Sequence, residues 1–179
     1  MKYFHLILLG LILIIADLTN AQHLYFGIRD GINFISINQN NKKNLNVDPG
    51  SIYCLIGAGI LKNCNLEFRT GYNFGISTDY RGPEFGLYLR QEILYNKLFI
   101  LGGINAHINI PDNNSNVSKT ITLLGIGVGS DFGKSIVIEL TYYFPLEKSF
   151  ILFSPPGDEP TLTNIIQLGL GINLGFIRK

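Results

Sequence analysis

Large apolar residues alternate with glycine, polar and charged residues in eight segments of this chain. Such alternation predicts β-strands, because successive side chains of a strand point to opposite faces. The predicted strands cover residues 24–34, 51–60, 65–76, 84–95, 98–108, 120–132, 136–144 and 164–176. Most of them are close to the roughly ten residues that a tilted strand needs to cross a bilayer.

The connections between these strands alternate in length. Tight turns are predicted at 61–64, 96–97 and 133–135, whereas the segments 35–50, 77–83, 109–118 and 145–163 are longer on average and richer in Asn, Asp, Pro and Lys. Short turns at one rim and longer loops at the other are typical of membrane barrels. The pattern predicts an all-β fold, an eight-stranded antiparallel up-and-down transmembrane β-barrel with both termini on the periplasmic side.

Two features decide which face of the strands lies inside. A soluble barrel of the lipocalin type would bury the apolar face. Here the polar face is rich in glycine, and such small residues fit a narrow lumen better than a surface exposed to water. Aromatic residues of the apolar face lie toward strand ends, like the two girdles of a membrane barrel. The predicted girdles are Phe26, Phe68, Tyr95, Phe132 and Phe176 at one rim, and Phe34, Phe74, Phe85 and Phe144 at the other. Asp30 is the one misfit on the apolar face of the first strand.

The amino terminus has the features of a secretory signal. Residues 6–15 are an apolar run, and Thr19 and Ala21 supply the small residues of a cleavage site before Gln22. The run is too short for a membrane-spanning helix, although an uncleaved anchor is the alternative. We predict a signal peptide at 1–21 and one barrel domain at 22–179.

Composition narrows the function classes. The net charge of +1 implies no nucleic-acid partner. Cys54 and Cys64 do not lie opposite each other in the predicted hairpin, so a disulfide is not expected. Neither has a His, an Asp or a third Cys beside it, so zinc is not expected either.

Three segments carry a family resemblance: Asn20-Ala21-Gln22, the first strand at 26–34 (FGIRDGINF) and the closing strand at 168–176 (LGLGINLGF). With these segments the chain resembles the small outer-membrane β-barrel proteins of Gram-negative bacteria, and most of all the Bacteroidota group called outer membrane protein beta-barrel domain, or PorT-like. The resemblance implies residence in the outer membrane, contact with outer-membrane lipid and lipopolysaccharide, and assembly by the barrel-assembly machinery. The chain differs from that group at its carboxyl end. Such barrels commonly end on an aromatic residue, whereas here residues 177–179 follow Phe176.

Enzymes of this architecture need a nucleophile or an activated water with a base in reach. After the signal, the histidines are His23 and His107, and no Ser follows His107 until Ser115. A hydrogen-bonded lumen histidine is therefore favoured over a catalytic one. The loop acids Asp79, Asp112 and Glu159 are interpreted as solvated rather than as a protease pair. The sequence predicts no catalytic residue, no metal site and no cofactor.

Charged residues on the polar face predict the composition of the lumen. They are Arg29, Glu67, Arg69, Glu84, Arg90, Glu92, Asp131 and Glu139. Isolated buried charges are costly, so these residues are expected to form a connected Arg–Glu network. For the hairpin of the third and fourth strands we predict a register with Arg69 opposite Glu92, which avoids like-charge contacts.

The loops supply the remaining candidates. Phe150, Ile151, Leu152 and Phe153 form an apolar run in the last outer loop, expected to pack over the barrel mouth, enter the outer leaflet or bind a partner. Lys42, Lys43 and Arg81 are interpreted as solvated loop charges, with contact to anionic lipopolysaccharide as the alternative. The leading function is a non-enzymatic outer-membrane protein, structural or binding an unknown extracellular ligand through its loops. A narrow pore is the alternative, and a lipid-A-modifying enzyme is a more distant one.

Overall fold

Eight antiparallel strands close into a barrel in which each strand pairs with its neighbours in sequence and the last strand pairs with the first. The computed structural model describes residues 23–39, 42–75, 80–93, 98–110, 119–133, 135–147 and 161–178. The strands are β1 (His23–Gln39), β2 (Lys42–Leu61), β3 (Cys64–Asn73), β4 (Gly82–Ile93), β5 (Leu98–Asn109), β6 (Lys119–Phe132), β7 (Ile136–Pro145) and β8 (Thr161–Arg178). Among the described residues we find no helix with the length and hydropathy of a membrane span.

The predicted fold class is confirmed, and so is the assignment of the two strand faces. Polar residues point inward and are buried, as for Arg29 at 1% exposure and Glu67 at 0%. The apolar residues of the same strands point outward, and Ile126 and Leu170 are 57% and 58% exposed. A barrel with a polar interior and an apolar outer wall is a transmembrane barrel, because such a wall requires lipid around it.

The connections at the two rims differ in length as predicted, except that the β1–β2 connection is also short. The β2–β3 connection is a tight turn at Lys62 and Asn63, and Asn63 has the left-handed φ of 60° that Asn tolerates better than most residues. β1 begins and β8 ends at this rim, which we call the turn end. The opposite rim is the loop end. The signal peptide, residues 96–97, Asp79, Asp112, Glu159 and the run 150–153 lie outside the described residues.

The predicted loop at 35–50 is wrong. β1 continues to Gln39 and β2 begins at Lys42, so these residues form a hairpin that extends past the point where β3 ends. Two causes act together: Ile35 and Ile37 keep the alternation inside a polar stretch, and β8 pairs with this part of β1. A bulge between Gly31 and Ile32, with Gly50 at φ 125°, takes up the register change in the hairpin.

An apolar cap covers the lumen at the loop end. It consists of Ile35, Ile37, Tyr80, Ile121, Leu123, Leu162 and Ile165, which are all buried in one hydrophobic cluster. These side chains point inward from β1, β6 and β8 and from the β3–β4 connection. The cap closes the polar interior from the side of the longer loops.

Outward-facing aromatic residues mark the girdles. Phe26 and Phe132 are exposed toward the turn end, and Phe74, Phe85 and Phe144 toward the loop end. Tyr72 packs on Phe74 and Tyr142 on Phe144, with ring centroids 5.3 and 4.4 Å apart. The prediction that Phe68 belongs to a girdle is wrong, because Phe68 lies in the middle of β3 rather than at a rim. Tyr95 and the side chain of Phe176 lie outside the described residues.

Candidate functional site

The centre of the lumen is an ion-paired cluster around Arg69 of β3. Its guanidinium contacts Glu139 Oε1 and Oε2 of β7 at 2.6 and 3.1 Å, on the far side of the barrel. It also donates two hydrogen bonds, of 2.6 and 3.0 Å, to Glu67 Oε2 on its own strand. Arg29 Nε lies 3.7 Å from Glu139 Oε2, and Arg29 Nη2 donates to Asn173 Oδ1 at 2.8 Å. Arg69 of β3 therefore connects its own wall to β7 on the opposite wall of the barrel.

A second cluster fills the turn end. Arg90 Nη1 lies 3.6 Å from Glu67 Oε1, and Arg90 Nη2 forms an ion pair with Asp131 of β6. The Arg90 guanidinium also stacks on Phe99, 3.8 Å from the ring centroid. Tyr25 donates to Glu67 Oε1 at 2.5 Å. Because Glu67 contacts both Arg69 and Arg90, the central and turn-end clusters form one connected network.

A third cluster lies below the cap and is organised by Glu84 of β4. His107 Nδ1 lies 2.8 Å from Glu84 Oε1, and Tyr80 donates to the same oxygen at 2.9 Å. Tyr53 and Asn105 donate to Glu84 Oε2 at 2.5 and 3.1 Å. The Tyr80 ring stacks on the His107 ring, with centroids 3.8 Å apart. Burial raises the pKa of the Tyr80 hydroxyl well above its ordinary value, and this keeps it a donor to Glu84.

Neutral polar side chains extend the Glu84 cluster through Tyr53. Gln167 Nε2 lies 2.9, 3.1 and 3.1 Å from Asn33 Oδ1, Ser51 Oγ and Tyr53 Oη, which share its two N–H donors. Tyr143 donates to Gln167 Oε1 at 3.2 Å. The space between these side chains and the cap leaves no room for a water molecule. Packed side chains therefore occupy the lumen between the Glu84 cluster and the cap.

The structure places the predicted lumen residues as follows. Arg29, Glu67, Arg69, Arg90, Asp131 and Glu139 belong to the connected network, and Glu84 belongs to the separate cluster with His107. Glu92 stands apart and is half-buried, and Asn65 Nδ2 donates to its Oε1 at 3.0 Å.

The predicted β3–β4 register is wrong. Arg69 lies opposite Gly86, and Glu92 has no place beside it. The prediction paired Arg69 with the neighbouring strand, whereas in this narrow barrel Arg69 reaches Glu139 across the lumen. The Tyr88 ring packs over Gly86 beside Arg69, and the connection closes early, between Asn73 and Gly82.

Sequence reasoning did not single out the inward-facing tyrosines and Gln167. The alternation of the strand indicates that Tyr25 faces the lumen, because it falls on the same face as Gly27 and Arg29. Gly57 lies opposite Tyr25, and a Cβ there would overlap the Tyr25 ring. A large inward residue facing a glycine on the next strand is thus a mark of lumen packing. Lys42 and Lys43 are exposed on β2 rather than in a loop, and Arg81 Nε donates to the Ile110 carbonyl at 2.9 Å.

Solved structures give the comparison that bears on the fold. The structure of Neisserial surface protein A (NspA) matches over 83% of this chain and 96% of its own, with 10% identity and a TM-score of 0.50. The fold is that of a small outer-membrane β-barrel. No protein-family model matches the chain, and no curated protein matches it.

Two further structures are similar at lower scores. Ail, the attachment invasion locus protein of Yersinia pestis, was solved in complex with the heparin analogue sucrose octasulfate. It matches over 85% of this chain and 98% of its own, with 12% identity and a TM-score of 0.46. The outer membrane protein OprG from Pseudomonas aeruginosa matches over 86% and 96%, with 9% identity and a TM-score of 0.40.

Proposed function

We propose that this protein is a non-enzymatic integral protein of the bacterial outer membrane, with a closed lumen and a structural or binding role carried by the loops. The observation that carries the proposal is the filled interior. Arg69 joins opposite walls through Glu139, and the apolar cap covers the Glu84 cluster. A barrel filled in this way offers solutes no path, so its exposed rim is the part left to act.

The proposal of a closed lumen is preferred to a narrow pore because of the network's geometry. A conducting path would have to pass Arg69, whose four contacts hold it between Glu67 and Glu139. At the turn end the same path meets Arg90, which is held between Glu67, Asp131 and the Phe99 ring. Side chains fixed by several charge-assisted hydrogen bonds do not move aside easily.

The non-enzymatic part of the proposal depends on His107. Its Nδ1 lies 2.8 Å from Glu84, and its Nε2 lies 3.2 Å from Asn109 Oδ1. Both ring nitrogens are thus engaged, and the ring is fully buried under Tyr80. A general base has to reach its substrate's proton, and this histidine has no approach from solvent.

Planar-bilayer recording tests the closed lumen. The wild type is expected to show no steady conductance. The double variant Arg69→Ala/Glu139→Ala removes the bridge between the walls but leaves the Arg90 cluster and the cap, so it should conduct measurably more than wild type. Glu92→Ala, at the half-buried end of β4, should behave like wild type. A large, steady wild-type conductance would contradict the proposal and favour the pore. Unchanged lipid A mass spectra with and without the protein are expected for a non-enzyme.

Location and orientation complete the proposal. The chain is expected to fractionate with outer membranes and to contact lipid and lipopolysaccharide, after export by the 1–21 signal and insertion by the barrel-assembly machinery. Mass spectrometry of the extracted protein should find Gln22 as the first residue. With the turn end in the periplasm, a protease site inserted at 40–41 should be cut on intact cells. Cutting solely after the outer membrane is opened would reverse the orientation.

The finer assignment to the Bacteroidota, PorT-like group is supported by the residue patterns at 26–34 and 168–176. In the barrel these two segments are neighbours, since β1 pairs with β8. Members of that group are expected to align with both segments without gaps.

A further inference from the structure

Asp30 is an acidic residue on the outer wall of the barrel. It lies in β1 between Ile28 and Ile32, four residues from Phe26 and four from Phe34. Because those two aromatic residues lie toward opposite rims, Asp30 is close to the middle of the membrane. Its side chain is exposed, and no hydrogen bond or ion pair joins it to another of the described residues.

Small and polar side chains continue from Asp30 across the next two strands. Cys54 of β2 lies opposite Ile28 and is therefore a diagonal neighbour of Asp30 on the same face. Thr70 of β3 lies opposite Cys54. Cys54 is a free, exposed thiol. We call Asp30, Cys54 and Thr70 the polar row; most of the surrounding outward wall is Ile, Leu and Phe.

In an isolated barrel, the Asp30 carboxyl group would lie in the hydrocarbon of the membrane, which is energetically costly. A carboxyl group in lipid without a hydrogen-bond partner is strongly disfavoured, and the charged form more so than the neutral one. The described outward wall carries no cationic side chain at this depth that would pair with it. Ionisable residues in such positions mark functional sites, and the missing partner has to come from another molecule in the membrane.

We propose that the polar row is the centre of an interface with a second copy of this chain. A second copy carries Asp30 at the same depth and in the same orientation, which a two-fold axis along the membrane normal brings face to face. The Thr70 hydroxyl and the Cys54 thiol of each copy then supply donors for the Asp30 carboxyl oxygens of the other. The small Cys54 and Thr70 side chains let the two walls approach.

Cross-linking in lipid vesicles tests the interface and rests on the membrane insertion proposed above. Gel mobility of unheated samples first shows that each variant is inserted, so a failure of insertion is distinguished from a failure to associate. The test protein keeps Cys54 as its one thiol through Cys64→Ser. The matched control is Ile126→Cys with both native cysteines changed to Ser, since Ile126 is outward-facing in the middle of β6, on the far wall.

A short bis-maleimide should convert the Cys54 protein into dimers and leave the Ile126→Cys protein monomeric. Asp30→Leu should weaken dimerisation by roughly tenfold, the order expected for lost hydrogen bonds between membrane segments. Asp30→Asn keeps the shape of the side chain and an acceptor oxygen, and it should dimerise like wild type. Sedimentation equilibrium in density-matched micelles measures the constants without relying on cysteine. Equal cross-linking at both walls, no effect of Asp30→Leu, or a wild type that stays monomeric would each overturn the proposal.

Discussion

Replacing Arg69 by Met is expected to destabilise the barrel by about 3–5 kcal/mol, because it leaves buried carboxylates without their cation. The structure shows which carboxylate suffers most. Glu67 keeps Arg90 at 3.6 Å and the Tyr25 hydroxyl at 2.5 Å, whereas Glu139 keeps Arg29 at 3.7 Å. Glu139, which is left with the longer Arg29 contact alone, is therefore the main source of the loss.

A double variant isolates that source. Arg69→Met/Glu139→Met removes both charges of the bridge, and it should recover more than half of the loss, since apolar side chains of similar size replace buried ion pairs at little cost. Glu92→Gln is the control, with an expected change of about 0.5 kcal/mol or less. The chain has no Trp, so the folded fraction is read from the gel mobility of unheated samples across a urea titration in vesicles. Strictly additive losses from the two Met substitutions would refute the reasoning.

Further predictions concern the outer wall and the glycines of the lumen. Ile126→Arg should cost about 2–4 kcal/mol at mid-membrane, whereas Phe132→Arg, at the end of β6, should cost about 1 kcal/mol or less; equal costs would mean that the wall does not meet lipid. Gly57→Ala should cost about 1–3 kcal/mol, because the new Cβ overlaps the Tyr25 ring. Gly102→Ala, whose Cβ would meet no atom closer than 3.9 Å, should change stability by about 0.5 kcal/mol or less, and the same titration measures both.

Much of the fold could be predicted because a membrane barrel forces every strand to alternate. In β8, Ile166 and Leu168 have to meet lipid while Gln167 has to face the lumen. The alternation in the sequence therefore predicts directly which side chains point outward and which point inward. The hairpin formed by the ends of β1 and β2 could not be predicted in this way. Its Asn- and Lys-rich composition is that of a loop, and the pairing of Ile37 with Leu162 of β8 is a contact that composition does not encode.

The candidate site was predictable in its members but not in its pairings. Parity places Arg69 and Glu139 inside, yet nothing in their sequence separation indicates that they meet across the lumen. The error over Glu92 arose from treating the hairpin as a flat pair of strands, where neighbours satisfy one another. In a closed narrow barrel the far wall is near, and long Arg side chains reach it.

Nitroxide scanning along β6 tests most directly whether the apolar wall faces lipid. Spin labels are placed on the outward residues Leu124, Ile126 and Val128, and on Glu147, which is exposed past the end of β7. Collisions with oxygen and with a water-soluble nickel complex are then compared in vesicles. The three β6 sites should be accessible to oxygen and shielded from nickel, most strongly at Ile126, and Glu147 should show the reverse. Free nickel access at Ile126 would contradict a transmembrane barrel.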